Sequence, residues 1–195
     1  GSPQVSPWLM GPLIVALGML WSLLAGSRMD GCVSVNAAFV LDDYALYVQG
    51  FVMVVALAGS LLARHAVESF PRGGVGLLLM SAAGACLMAM AVDLVALLAG
   101  LVVMSLPLAG LAALRMDEAG REAALKAVFL LLVGSALFAL GAAWLAARSG
   151  TTAAAGLARF CADLEWIGRD PLLVVALGLV LVGALLFVAA LPLHM

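Results

Sequence analysis

Charge is what this sequence has least of. Only 10% of its 195 residues are Asp, Glu, Lys or Arg, against about a quarter in an ordinary soluble domain. Six stretches (residues 1–27, 44–63, 73–92, 94–114, 127–147 and 171–193) hold no charged residue and no histidine. The gaps between them are too short to bury a core, which excludes a water-soluble domain. A formal net charge of −2 excludes a nucleic-acid reader, which needs a basic face. Cysteine is scarce as well. Cys32, Cys86 and Cys161 are odd in number and widely spaced, with no CxxC or Cys/His pair to suggest a metal site. No nucleophile–base pair or glycine-rich phosphate loop appears either, so no catalytic, cofactor-binding or metal-binding residue is assigned.

What is present is apolar: 66% of the residues are hydrophobic and the mean hydropathy is +1.23. A helix rises about 1.5 Å per residue, so about 20 apolar residues cross the ~30 Å hydrocarbon core of a bilayer. The fold class that follows is all-α, a polytopic transmembrane bundle over residues 1–195. Its spans are expected near 7–26, 44–63, 74–92, 94–114, 122–147 and 171–193. Residues 1–27 lack the basic region of a secretory signal, so Trp8 to Ala25 reads as a retained helix. The start at Gly1 fits either a processed leader or a residual tag. The polar stretch Gly26 to Asn36 reads as a linker.

Local signals set the joints. Asp42 and Asp43 precede the second span and can cap it. Residues 74–114 hold one charge, Asp93. Forty-one residues are twice a membrane thickness, so the run folds as two helices with Asp93 as turn and cap; the competing reading is a buried proton carrier. Pro107 lies inside the fourth span, where proline removes a backbone bond and kinks a helix. The fifth span starts at Glu122, with Lys126 one turn on and on the same face. That lysine either snorkels to the headgroups or relays protons. Thr151 and Thr152 offer caps, and Leu157, Phe160, Cys161, Leu164 and Ile167 recur at helical spacing among Arg159, Asp163 and Arg169. This predicts an interfacial amphipathic helix near 152–168. Asp170-Pro171 opens the last span. Loop charges place Arg28, Arg148, Arg159 and Arg169 on one side and Arg64, Arg72, Arg115 and Arg121 on the other, so the positive-inside rule gives no orientation. Span glycines (Gly84, Gly100, Gly110, Gly134, Gly141, Gly178, Gly183) predict close helix packing.

A set of motifs in order resembles a known family. Gly100-Leu-Val-Val-Met-Ser-Leu-Pro-Leu108 is similar to a "GxELxSLPL" helix, and Glu122-Ala-Ala-Leu-Lys126 to the "EAxxKY" that follows a charged loop. Ser149-Gly150-Thr151 resembles an "SGT"-like turn. Asp170-Pro171-Leu172-Leu173 resembles the opening of the next helix, and Leu191-Pro192-Leu193-His194 its "xPFH" end. Upstream, Asp42-Asp43-Tyr44-Ala45 looks like a "DxFA" helix start. The family is that of the antiporter-like subunits of respiratory complex I, in the branch called subunit 2 in mitochondria and N in bacteria. The resemblance covers residues 40–195.

The resemblance implies a membrane-arm subunit among other complex I subunits, with NADH, flavin and iron–sulfur chemistry held elsewhere. Two departures matter. The family's intramembrane glutamate falls on Val102, and its lysine, seven residues before the final histidine, falls on Phe187. Losing both members of a buried pair is physically easier than losing one. The expected role is therefore mainly structural. The alternative is an active half-channel using Glu122, Lys126 and His194, or an unrelated small transporter or anchor. Against the family's usual length, the chain is expected to be the first half of a split subunit with a separate second-half chain as partner, besides the lipid bilayer. The expected location is the mitochondrial inner membrane, or else a bacterial plasma membrane.

Overall fold

The structure, a computed structural model, describes residues 18, 33–36, 38–66, 73–114, 117–162 and 171–189. Among the described residues, two short strands, β1 (Val33–Asn36) and β2 (Phe39–Leu41), are followed by six helices. These are α1 (Asp43–Ala66), α2 (Gly73–Met90), α3 (Leu94–Ala113), α4 (Glu118–Ser149), α5 (Ala154–Ala162) and α6 (Pro171–Ala189). α1 to α4 are each long and apolar enough to cross a membrane, and α6 is a shorter apolar helix. The expected transmembrane bundle is therefore present. Of the first expected span, only Gly18 is among the described residues; it is helical and faces Met53 of α1.

The antiparallel β1–β2 hairpin departs from the expected polar linker. Val33, Ser34, Val35 and Asn36 alternate apolar and polar, the period of a strand. Asp42 caps α1, accepting the Ala45 N–H at 2.7 Å. Pro171 takes the first position of α6, where its missing N–H costs nothing. α3 stays helical through Pro107, which is buried. α4 starts at Glu118, four residues before the expected Glu122, because Asp117 caps it by accepting the Gly120 N–H. Its 32 residues run about 48 Å, well beyond the hydrocarbon thickness. It ends at Gly150, whose φ of 72° is the left-handed cap that glycine adopts without strain.

Glycines set how closely the helices meet. A Cβ on Gly84 of α2 would overlap the backbone of Met104 on α3, standing 2.6 Å from its Cα. In return, a Cβ on Gly100 of α3 would stand 3.0 Å from the Met88 nitrogen on α2. Each glycine thus receives the methionine one turn beyond its counterpart. The α4–α6 pair is built alike. A Cβ on Gly141 would stand 2.7 Å from the Ala176 carbonyl, and one on Gly183 2.7 Å from the Phe138 nitrogen. Such small residues let membrane helices gain dispersion contact where lipid removes the hydrophobic drive. Gly178 is different, with nothing within 4 Å of its Cβ position.

Candidate functional site

An apolar seam runs where α3, α4 and α6 meet. Leu101 and Ala109 of α3, Leu131, Phe138 and Ala142 of α4, and Phe187 of α6 form one buried cluster, with Val102, Met88 and Val180 packed against it. Phe138 is 1% exposed and Phe187 5%. Val102 and Phe187, read separately from two motifs 85 residues apart, therefore belong to the same cluster. Toward one end the seam continues through Leu145, Leu157, Leu173 and Ala176. From Leu131 to Leu145 it extends about 21 Å along α4.

Serine hydroxyls within the helices are turned to their own backbones. The Ser105 hydroxyl, buried, donates to the Leu101 carbonyl. Ser135 donates to Leu132 at 2.9 Å and the buried Ser60 to Leu57 at 2.8 Å. Hydroxyls bonded this way satisfy themselves within the helix and carry no charge. Ser81 is buried in α2.

Glu122 and Lys126 do meet, with Nζ 2.6 Å from Oε1. They meet outside the bundle: their side chains are 67% and 62% exposed, beside the exposed Leu125 and Phe129. Lys126 precedes Gly134, against which Phe187 packs, by eight residues, about 12 Å along the axis. The pair is thus not brought to the seam. His194, the third residue of the expected proton path, lies outside the described residues.

Sequence reasoning missed a second constellation at one end of the bundle. Asp93 caps α3 as expected, its Oδ1 accepting the Val95 N–H at 2.7 Å. Its Oδ2 also accepts the Thr152 hydroxyl. The backbones lock around this contact: Leu94 N–H donates to the Thr152 carbonyl at 3.1 Å, and Ala154 N–H to the Val92 carbonyl at 2.9 Å. On the other side Val92 N–H donates to the Ala38 carbonyl at 3.1 Å. The hairpin, the α2–α3 turn and the α4–α5 turn therefore form one strip of strand-like pairing. It satisfies non-helical backbone that hydrocarbon would leave unpaired. Asp93 and Thr152 are 59 residues apart, so sequence gave each its local capping role and no sign of the other. α5 then runs over Ala154–Ala162, with Leu157 buried against α4 and α6; the remainder of the expected 152–168 helix, including Leu164 and Ile167, lies outside the described residues.

Comparison with known proteins agrees with this architecture. The chain is 34% identical over 93% of its length to NADH-quinone oxidoreductase subunit N 2 of Streptomyces griseus, covering 35% of that protein. It is 33% identical over 94% of its length to NADH-quinone oxidoreductase subunit N of Paramagnetospirillum magneticum, covering 39%. A chain in the structure of respiratory complex I from Thermus thermophilus with bound aureothin superposes with a TM-score of 0.70 at 27% identity, over 91% of this chain and 37% of that one. The chain thus spans a little over a third of the length of these relatives. Residues 91–195, which include the seam, the strip's central turn and α3 to α6, match the family described as NADH:quinone oxidoreductase/Mrp antiporter, TM. By that match the chain belongs to the NADH:quinone oxidoreductase/Mrp antiporter transmembrane family, as an N-like member.

Proposed function

We propose that this chain serves as an N-like membrane-arm component of a proton-pumping NADH:quinone oxidoreductase, with a mainly structural part in it. The observation that carries the reading is the composition of the seam. The two positions at which the resemblance puts a channel Glu and Lys come together in one apolar cluster, Phe187 within it beside Leu101, Leu131 and Phe138 and Val102 packed against it. A relay through hydrocarbon needs titratable groups at depth, and among the described residues the buried polar ones are the serines Ser60, Ser81 and Ser105. Its partners are the other membrane-arm subunits and, as a separate chain or a continuation of this one, the second antiporter-like bundle. The proposed location is the mitochondrial inner membrane or a bacterial plasma membrane, and the relatives compared above are bacterial.

The test is a native gel of gently solubilised membranes stained for NADH dehydrogenase activity, with the chain located by mass spectrometry. Co-migration with the large active band is expected. Migration apart from it overturns the assignment.

A second reading is favoured by one observation, the outward ion pair of Glu122 and Lys126. A neighbouring bundle seated on that face would enclose the pair, and a proton path could then pass between chains through Glu122, Lys126 and His194. Lys126→Met distinguishes the two. The structural reading expects an unchanged ratio of protons pumped per electron in a fully assembled complex; a lowered ratio with normal assembly supports the relay.

A further inference from the structure

We propose that α5 is a strap that closes one end of the seam, and that Asp93 and Thr152 are its fastening. The inference deepens the reading of a sealed seam and concerns how the seal is held.

α5 is nine residues long, and an isolated helix of that length is not stable in water. Two sets of contacts hold it. Leu157 packs with Leu145, Leu173 and Ala176, with Phe160 alongside. Leu94, the first residue of α3, packs against this end cluster and against the central seam cluster alike. α5 therefore sits over the joint through which the seam would otherwise open to the headgroup region. The second set is polar and lies immediately before the helix. Thr152 donates its hydroxyl to Asp93 and its carbonyl accepts the Leu94 N–H, and the Ala154 N–H donates to the Val92 carbonyl.

The fit between these anchors is close. Gly156, in the first turn, has room for a Cβ only by displacing Thr151, whose Cγ2 would stand 2.5 Å away. The Ser149 hydroxyl lies 2.7 Å from the Leu145 carbonyl and 2.8 Å from that of Thr151, and the Ala153 N–H donates to Thr151 Oγ1 at 3.2 Å. The turn feeding the strap is fixed at both ends. The bond from Thr152 to Asp93 ties a side chain of this turn to another part of the bundle. Releasing it removes the side-chain tie between this turn and the α2–α3 turn, while the apolar contacts of Leu157 and Phe160 and the backbone bonds remain. The strap would then lift and bare Leu145, Leu173 and Ala176.

Cys161, half-buried on α5, reports the motion. The experiment measures the labelling rate of Cys161 by a membrane-impermeant maleimide in native membranes, with Cys32 and Cys86 replaced by serine and the reagent offered from each side. Thr152→Val removes the donor and keeps the shape; Thr152→Ser keeps the donor. Thr152→Val is expected to raise labelling about tenfold, the factor that loss of one charge-assisted hydrogen bond supplies at the low end of its range. Thr152→Ser is expected to stay near the parent. Equal rates in Thr152→Val and parent overturn the proposal. Should Thr152→Val fail to accumulate, Asp93→Ser takes its place, since serine still caps α3 but lacks the second oxygen that accepts from Thr152. If both fail to accumulate, the contact is a requirement for folding and not a fastening, and the strap is likewise rejected. Assembly on the native gel is read in parallel, so a misassigned complex and a rigid α5 give different results.

Discussion

The middle of the bundle and its stitched end join helices by opposite means. In the middle, Gly84, Gly141 and Gly183 bring backbones into direct contact, and Phe138 and Phe187 fill what is left. At the end, three turns are joined by backbone hydrogen bonds and one carboxylate–hydroxyl contact. The difference follows depth. Hydrocarbon gives helices no hydrophobic reason to associate, so shape has to do it. At the headgroups water competes for every polar group, so only bonds held in a paired strip persist. The lesson is that shape packs the charge-free seam along its length, while the polar end fastens the helix that closes it.

That contrast can be broken by substitution, and glycine gives the largest expected effect. Gly183→Leu drives a side chain into the Phe138 backbone; overpacking costs at least about 1–3 kcal/mol, and backbone offers no rotamer to yield. Loss of membrane-assembled protein is expected, with Gly134→Leu behind it. Gly178→Leu on the same helix faces open space and should assemble normally. Equal loss at Gly178 would falsify the packing account.

Next come the seam charges. Val102→Glu or Phe187→Lys alone places an uncompensated polar group in an apolar cluster, a loss of about 3–5 kcal/mol if it stays ionised. Thermal denaturation in detergent should show both singles strongly destabilised and the double variant less so than their sum. Strict additivity would mean that the two positions do not share one environment.

The stitched end should respond less. Asp93→Ala removes the α3 cap, worth about 0.5–2 kcal/mol, together with the Thr152 contact. The same melts should place it between the seam singles and the parent. Smallest is Lys126→Met. Its ion pair is exposed on the outer face, and exposed pairs contribute little, so no change in melting is expected.

Much of the architecture is legible in the residues. Asp93 at the midpoint of a 41-residue run has to be a turn, because no single helix of that length fits a bilayer. The close packing expected at the span glycines is found at Gly84, Gly100, Gly110, Gly134, Gly141 and Gly183, and not at Gly178, whose Cβ position is open. Two things resist. The β1–β2 hairpin is too short to outweigh a polar-linker reading, although Val33 to Asn36 alternate. The Asp93–Thr152 contact is long-range, and both residues already had a sufficient local role as caps. Of the expected site, the sequence puts Glu122 and Lys126 on one helical face, as found. It cannot say which way that face turns, because α4 has almost no amphipathic bias to orient it: apolar residues such as Leu125, Phe129 and Leu132 lie outside and Leu131 and Phe138 inside.

The stitched strip also has a bearing on biogenesis. Asp93 leaves the ribosome 59 residues ahead of Thr152, a delay of about 3–12 s at ordinary synthesis rates. Through that interval the α2–α3 turn has its partner in the β-hairpin, through Ala38 and Val92, and lacks the one that follows α4. Closure of the strip is therefore a record that α4 has been inserted and returned the chain to the same face as Asp93. A chain with α4 threaded the wrong way has no Thr152 to offer there. The strip is, in that sense, a checkpoint on topology.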